Sequence, residues 1–464
     1  MQKILFFDDW CLESTYNVVR HLGKPKLVPE GTFSDPYDLG NAYPSVFFDE
    51  NKKKWRAIYG GQPDDTNPIC NALFGAISED GIHWEIDKIS DKHTSWSSSF
   101  SHCLMEGKKN AESGHVYIDR RDARYPYKIL YLDWDWQSGP DTMRNPVVVS
   151  EDGYHWHDLP NARWGNWSSD TCHSIFFNKL TGKYQIMCRA KSIKHPFSQR
   201  LVATMETEDW HHFSEPETIV RPDSEDPPLA QPYGMPTFPY GDYFIGFLWQ
   251  LHGDAGEKTT KGNGPASNHL TYSINGRNFN RTFRDNFIES TEPGDLGGYG
   301  FYPCELVALK DELRIYSTGT RSDHSGKGEI PKGQKPSAMV MHTLRPDGFM
   351  YLENYAGEGS IMTKEFDLKE GNLSVNVSAQ IGEVRAQVYV QKNVLPGEGP
   401  PTQKVAKGFS ADECLPFTGD TLNWKPTWRG SKKLNELVGE TVRIEILFDR
   451  ARLYSIEIGG TLLK

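Results

Sequence analysis

The chain has 464 residues, with 51 Lys+Arg against 62 Asp+Glu for a net charge of −11, and 12% of its residues are aromatic. That length sets an expectation of roughly two to three domains. The negative balance opposes attraction to phosphate backbones and anionic leaflets, so no nucleic-acid and no membrane partner is expected.

No apolar run approaches the ~18 residues that a spanning helix needs. The opening stretch, MQKILFFDDWCLES, lacks the apolar core and cleavage site of a secretory signal, so a cytoplasmic location is expected. The cysteines (Cys11, Cys70, Cys103, Cys172, Cys188, Cys304 and Cys414) are odd in number and form no CxxC pair. They read as reduced structural thiols rather than a zinc or disulfide framework.

Helical periodicity is nearly absent. Lys3–His21 and Lys432–Val438 are the two stretches that could carry a turn or two of helix, and residues 1–20 read as a segment wrapping an edge. Two signals then recur along the chain. One is a turn followed by an aromatic: Ser78-Glu79-Asp80-Gly81-Ile82-His83-Trp84, Ser150-Glu151-Asp152-Gly153-Tyr154-His155-Trp156 and Thr207-Glu208-Asp209-Trp210-His211-His212-Phe213. Weaker copies stand at Ser273–Phe279 and Arg345–Phe349. Asp-Gly and Asn-Gly supply the positive φ of a tight hairpin, so each copy reads as strand, turn, strand.

The other signal is a short apolar strand, at Ser45–Asp49, His115–Asp119, Ser174–Asn178, Pro236–Tyr240 and Glu305–Leu309. These strands start roughly sixty to seventy residues apart, and each precedes its turn signal by a near-constant interval. Five units in register predict an all-β chain built as a five-bladed β-propeller over residues 1–350, a closed form that leaves few exposed strand edges. From 351 to 464 polar and apolar residues alternate (Leu373, Val375, Val377; Val442, Ile444, Ile446, Phe448), which predicts a C-terminal β-sandwich.

In a radial propeller the first strand of each blade lines the axis, and acids at the strand heads converge there. Glu112, Asp170 and Glu305 stand at three heads, with Asp38 just upstream of the first. Acids so gathered repel one another, which raises at least one pKa and sets up the acid-plus-base pair that glycoside cleavage needs. Asp38 and Asp170 are the candidates for nucleophile or base and Glu305 for general acid, with Glu112 tuning pKa or binding substrate hydroxyls. Trp134, Trp136, Trp164, Trp167 and Trp249 are more numerous than core packing requires, and sugar rings stack on such faces. Tyr43, His173, Arg189, Arg321 and His324 complete the expected substrate-binding set. No cofactor or metal is assigned, though His115 and His173 head neighbouring strands and a water-bridged calcium is left open.

The Ser-Glu-Asp-Gly-x-His-Trp turns at a blade-like period, followed by a sandwich, resemble the five-bladed furanosidase superfamily that includes glycoside hydrolase families 32, 43 and 68. Asp8-Asp9-Trp10, Arg124–Lys128, Ser169-Asp170-Thr171 and Gly439–Tyr454 extend the likeness to bacterial family 32-like proteins over nearly the whole chain. The resemblance implies a propeller with an acidic central pocket that hydrolyses a short oligosaccharide, such as a fructoside or arabinoside. The sequence departs from that pattern where Tyr43-Pro44 replaces Asp-Pro, where Arg121-Asp122-Ala123 replaces Arg-Asp-Pro, and where Glu305 follows Cys304 in reversed order. Two alternatives remain: a non-catalytic sugar-binding propeller, and a sialidase-like glycosidase with Tyr43 as nucleophile. The oligomeric state is left open.

Overall fold

The computed structural model describes residues 2–37, 40–62, 71–89, 100–134, 143–191, 200–253, 264–324, 330–391 and 403–463. They form two compact units, 25–343 and 1–24 with 344–464. No described helix is long and apolar enough to cross a membrane.

The larger unit is a five-bladed β-propeller. Blade I is Ala42–Asp49, Lys54–Gly61, Ala72–Ser78 and Glu85–Ile86, with Cys103–Met105 added beside the third strand. Blade II is Glu112–Ile118, Tyr127–Leu132, Pro146–Ser150 and His157–Arg163, and blade III is Ile175–Asn178, Lys183–Arg189, Val202–Thr207 and Glu217–Val220. In blade IV, Ala230–Gly234 and Thr237–Tyr240 both pair with Tyr243–His252, which also pairs with Ala266–Ser273. Blade V takes Phe301–Ala308, Leu313–Thr320 and Ser337–Leu344 from the end of the unit and its outermost strand, Lys26–Phe33, from the beginning. That exchange closes the ring and leaves no fifth sheet to be completed by later chain. Middle strands such as Tyr127–Leu132 are buried at every position, as a continuous apolar run covered on both faces must be.

The repeated turn motif proves to be a clamp between blades. In the first copy, Ser78 Oγ accepts the Gly81 amide, and Asp80 Oδ1 accepts the amides of Ile82 and His83. Gly81, Gly153 and Gly276 hold φ of 74°, 74° and 75°, and Trp210 takes the equivalent place at 65°. Each turn is then gripped from the blade before it. Tyr316 Oη donates to Gly81 O, Arg56 Nη2 to Gly153 O and Gln185 Nε2 to Gly276 O, while Tyr117 packs on Trp210. The Arg345–Phe349 copy makes no such hairpin within a blade, because blade V draws its outer strand from Lys26–Phe33. Asp347 instead accepts Lys3 Nζ and Ser455 Oγ inside the smaller unit.

One irregularity positions the site. The innermost pairing slips between Ala42 and Ser45 in blade I, between Glu112 and His115 in blade II, between Pro232 and Gly234 in blade IV and between Pro303 and Glu305 in blade V. Tyr43 and Ser113 sit in these bulges with φ of 50° and 64°. A bulge adds a residue to one strand and re-aims its side chain, so the residues ahead of it turn into the mouth and those behind it continue the axial core.

In the smaller unit a single 26-residue strand, Phe366–Gln391, pairs along its length with Arg452–Leu462, Thr441–Asp449 and Phe417–Trp424. The slip between Ala379 and Val384 splits it into two arms, a sandwich-like arrangement. Val375, Val377, Val384, Ala386 and Val388 all point into one core with Phe409 and Trp428. The N-terminal residues are strands, not a helical wrap. Gln2–Leu5 pairs with Arg452–Leu462, Leu12–Tyr16 with Gly359–Thr363 and Val19–Leu22 with Met350–Glu353. Burial of Ile4, Phe6 and Leu12 in the same core explains why they join this sheet. Within Lys432–Val438 a short 3-10 turn forms at Leu434–Leu437.

Candidate active site

A cavity of about 590 Å³ opens at the propeller mouth, lined by Tyr43, Glu112, Asp170, Tyr233, Tyr302 and His324 among others. Its size falls within the ~300–1,000 Å³ of pockets that enclose a small organic ligand. Its charged and aromatic residues come from inner strands, from the loop that carries Asp170 and from the Thr320–His324 turn.

Asp170 enters from the loop before blade III. Ser169 does the local bonding there. Its Oγ accepts the Arg189 amide at 2.9 Å and lies 3.0 Å from His173 Nε2, and Thr171 Oγ1 donates to Tyr233 O. The Asp170 carboxylate is thereby freed from turn-capping and faces the cavity, with Arg189 Nη1 3.4 Å from Oδ2. Trp167 Nε1 donates to Arg189 O and fixes the strand end that carries this cation.

Glu112 faces Asp170 from blade II, with Asn110 Nδ2 donating to its Oε2 at 3.2 Å. Burial pushes the Glu112 carboxyl up to about 8 and the nearby Asp170 charge adds to it, while the Trp134 indole, Arg189 and Asn110 pull the other way. At neutral pH this group therefore carries its proton. The cavity thus brings together a protonated carboxyl and a carboxylate paired with arginine, which is the arrangement of an acid and a base in one solvent-restricted space.

The aromatic wall is a hydrogen-bonded chain. His324 Nε2 lies 3.2 Å from the Tyr233 hydroxyl, which lies 3.3 Å from that of Tyr43. Arg189 and Arg200 both stand over the Tyr233 ring. Burial, then the neighbouring Tyr233 and Asp170, raise the Tyr43 phenol well above its usual range, so it stays neutral. A Tyr43 nucleophile would need the opposite shift.

Several expected residues lie elsewhere. Glu305 does not line the cavity. It lies behind the blade V bulge, level with His115, whose Nε2 is 3.4 Å from Glu305 Oε2, and Tyr302 takes the place at the mouth. Burial holds Glu305 near 8, against amide donation from Val46 and Leu306. Trp249 is fully buried beneath Tyr43, with Nε1 donating to Pro303 O, so it supports the wall instead of meeting a ligand. His173 is buried between Ser169 and Leu130 O. Arg321 Nη1 is spent on Lys335 O. Trp164 is core, donating to Tyr131 O. Trp134 and Arg189 stand behind Glu112 and Asp170 and act on the cavity through them. Asp38 and Trp136 lie outside the described residues.

Sequence reasoning passed over Tyr233, Tyr302, Asn41 and Ser113, all of which line the cavity. Each stands in or just ahead of an inner strand, the same places that bring acids to the axis. Among the described residues no group of three or more His, Cys, Asp or Glu side chains is placed to hold a metal.

No family model matches the chain, and no curated protein matches it. Solved structures do. An N-acetylgalactosamine deacetylase from F. plautii, in complex with blood group B trisaccharide, is 13% identical over 70% of this chain and 94% of its own, with a TM-score of 0.47. A thermostable family-43 glycoside hydrolase is 10% identical over 66% and 89%, with a TM-score of 0.45. A beta-fructofuranosidase from Schwanniomyces occidentalis, complexed with fructosyl-erythritol, is 10% identical over 94% and 97%, with a TM-score of 0.44.

Proposed function

We propose that the propeller is a glycosidase, with Glu112 as general acid and Asp170 as the opposing carboxylate. The observation that carries this reading is that Glu112 and Asp170 line one cavity, where burial and the Asp170 charge both raise the Glu112 carboxyl. In the reaction the Glu112 proton passes to the glycosidic oxygen as the bond from that oxygen to the anomeric carbon breaks. Asp170 either takes a proton from the water that attacks the anomeric carbon or adds to that carbon itself, giving an ester that water, deprotonated by Glu112, then cleaves; the anomeric configuration of the product distinguishes the two. Arg189 orients Asp170. Tyr43, Tyr233 and His324 offer hydroxyl and ring nitrogen to the sugar.

The choice of a furanoside, such as a fructoside or arabinoside, rests on the resemblance of the repeated turns to the furanosidase superfamily. A panel of fructo- and arabino-oligosaccharides assayed with the parent protein, Glu112→Gln and Asp170→Asn tests the proposal. Hydrolysis by the parent and losses of ~10²–10⁴ in kcat with binding retained support it. Binding without turnover by the parent on every glycan makes the propeller a lectin.

A further inference from the structure

Asn110 stands just ahead of the first strand of blade II and is fully buried, and both ends of its side-chain amide are engaged. Its Oδ1 accepts the Asn71 amide from blade I at 2.9 Å, so Nδ2 is the end that meets Glu112 Oε2 at 3.2 Å. The group cannot be turned over, because a backbone N–H has to face an oxygen. The main chain around it is held separately. Asp133 Oδ1 accepts the Lys109 and Asn110 amides and Oδ2 the Lys108 amide. Arg144 Nε and Nη2 donate to the same Oδ2 at 2.9 and 2.6 Å, and Ala111 N donates to Asn71 O. These backbone bonds fix the loop whatever side chain residue 110 carries.

The side chain therefore has a different consequence, for the acid. A neutral carboxyl has one hydroxyl oxygen and one carbonyl oxygen, and an N–H donor seeks the carbonyl. A donor locked at Oε2 makes that oxygen the carbonyl and leaves the proton on Oε1. Once the proton departs, the same donor stabilises the carboxylate. Burial and the Asp170 charge favour the neutral form, while Arg189 and the Trp134 indole act in the same sense as Asn110.

We propose that Asn110 is a positioning residue for the general acid: it places the transferable proton on Glu112 Oε1 and steadies the anion left when that proton moves to the glycosidic oxygen. The proposal rests on the glycosidase reading of Glu112 and adds to it the oxygen that delivers the proton. Asn110 is buried and is not among the residues that line the cavity, so it acts through Glu112 and not on the sugar.

Carbon-13 carboxyl titration and infrared spectroscopy on the full chain test it, comparing the parent with Asn110→Ala and Asn110→Leu and using Glu112→Gln to assign the Glu112 signals. Alanine removes the donor, and leucine removes it while filling the space that water could enter. In both, Glu112 should titrate above the parent's value of about 8, and its neutral-carboxyl stretch should move to higher wavenumber, where a carbonyl that accepts no hydrogen bond absorbs. Turnover should fall by ~10–10²-fold in kcat with KM little changed, and the alkaline limb of the pH profile should move up. Thermal unfolding checks both variants. If neither folds, the parent's own stretch carries the test, low when Oε2 accepts a hydrogen bond and high when it does not. Titration of Glu112 at or below the parent's value in both variants, or a parent stretch at the free-carbonyl position, overturns the proposal. A titration and stretch that move as expected in a protein that cleaves no glycan support the placement of the proton and sink the hydrolase reading alone.

Discussion

The indole of Trp249 lies beneath the phenol of Tyr43, with ring centroids 5.3 Å apart and planes 15° apart. Trp249 in turn meets Tyr302 edge-on at 5.4 Å, so one buried side chain from blade IV supports mouth residues from blades I and V. Trp249→Ala should therefore cost stability, by about 3–5 kcal/mol for a buried aromatic. Chemical denaturation measures this. A variant as stable as the parent but unable to bind sugar would return Trp249 to the role of a stacking platform.

As the proposed general acid, the Glu112 carboxyl, pushed up to about 8 by burial and by Asp170, must carry its proton. Activity should fall as pH rises through about 8, and the alkaline limb belongs to this group. In Asp170→Asn the neighbouring negative charge is gone, so the Glu112 pKa should move down. Carbon-13 carboxyl titration of that inactive variant reads the shift directly, and an upward move would contradict the assigned coupling.

Glu305, near 8 through burial, links stability to pH without taking part in the proposed chemistry. The folded chain holds a proton that the unfolded chain loses above its ordinary pKa of 4.5. The stabilisation is complete below that value and disappears as pH rises through about 8. Glu305→Gln should flatten the decline in thermal midpoint between pH 5 and pH 8 by more than ~2 °C. An unchanged slope would mean that Glu305 is ionised in the fold, paired with a charged His115.

Arg56 is 1% exposed, pairs with Asp49 at 3.2 Å and Asp87 at 3.6 Å, and grips the blade II turn through Gly153 O. Arg56→Met leaves two carboxylates without their cation and releases the clamp. A loss of about 3–5 kcal/mol is expected on unfolding, as for one partner removed from a buried pair. A loss below ~1 kcal/mol would show that the clamp between blades is dispensable.

The five-fold architecture was legible because its signals are local. Asp-Gly turns need positive φ, and buried middle strands need apolar runs, so both recur wherever a blade recurs. What stayed hidden depends on pairing across the chain. The fifth turn copy at Arg345–Phe349 looked like another hairpin, yet ring closure by Lys26–Phe33 removed its strand. Ile4 and Phe6 gave no sign in sequence of which sheet would bury them.

The candidate site was half legible for the same reason. Asp170 and Glu112 both line the cavity, since acids ahead of the inner strands converge on the axis. Glu305 was misplaced because the bulges were invisible. Glu305 shares its strand position with His115 and Ser45, behind the bulge, while Tyr302 and Glu112 lie ahead of it and Tyr43 within it. Aromatic counting misread Trp249, since a tryptophan near a mouth can as easily hold up its wall.

Two half-buried glutamates, Glu112 and Glu305, offer the most direct test of the proposed acid. Turnover of the best oligosaccharide substrate should be compared in Glu112→Gln and Glu305→Gln, each checked for folding by thermal unfolding. A fall of ~10²–10⁴ in kcat is expected for the first and near-parent turnover for the second. The reverse pattern, with Glu305→Gln inactive and Glu112→Gln active, would contradict it.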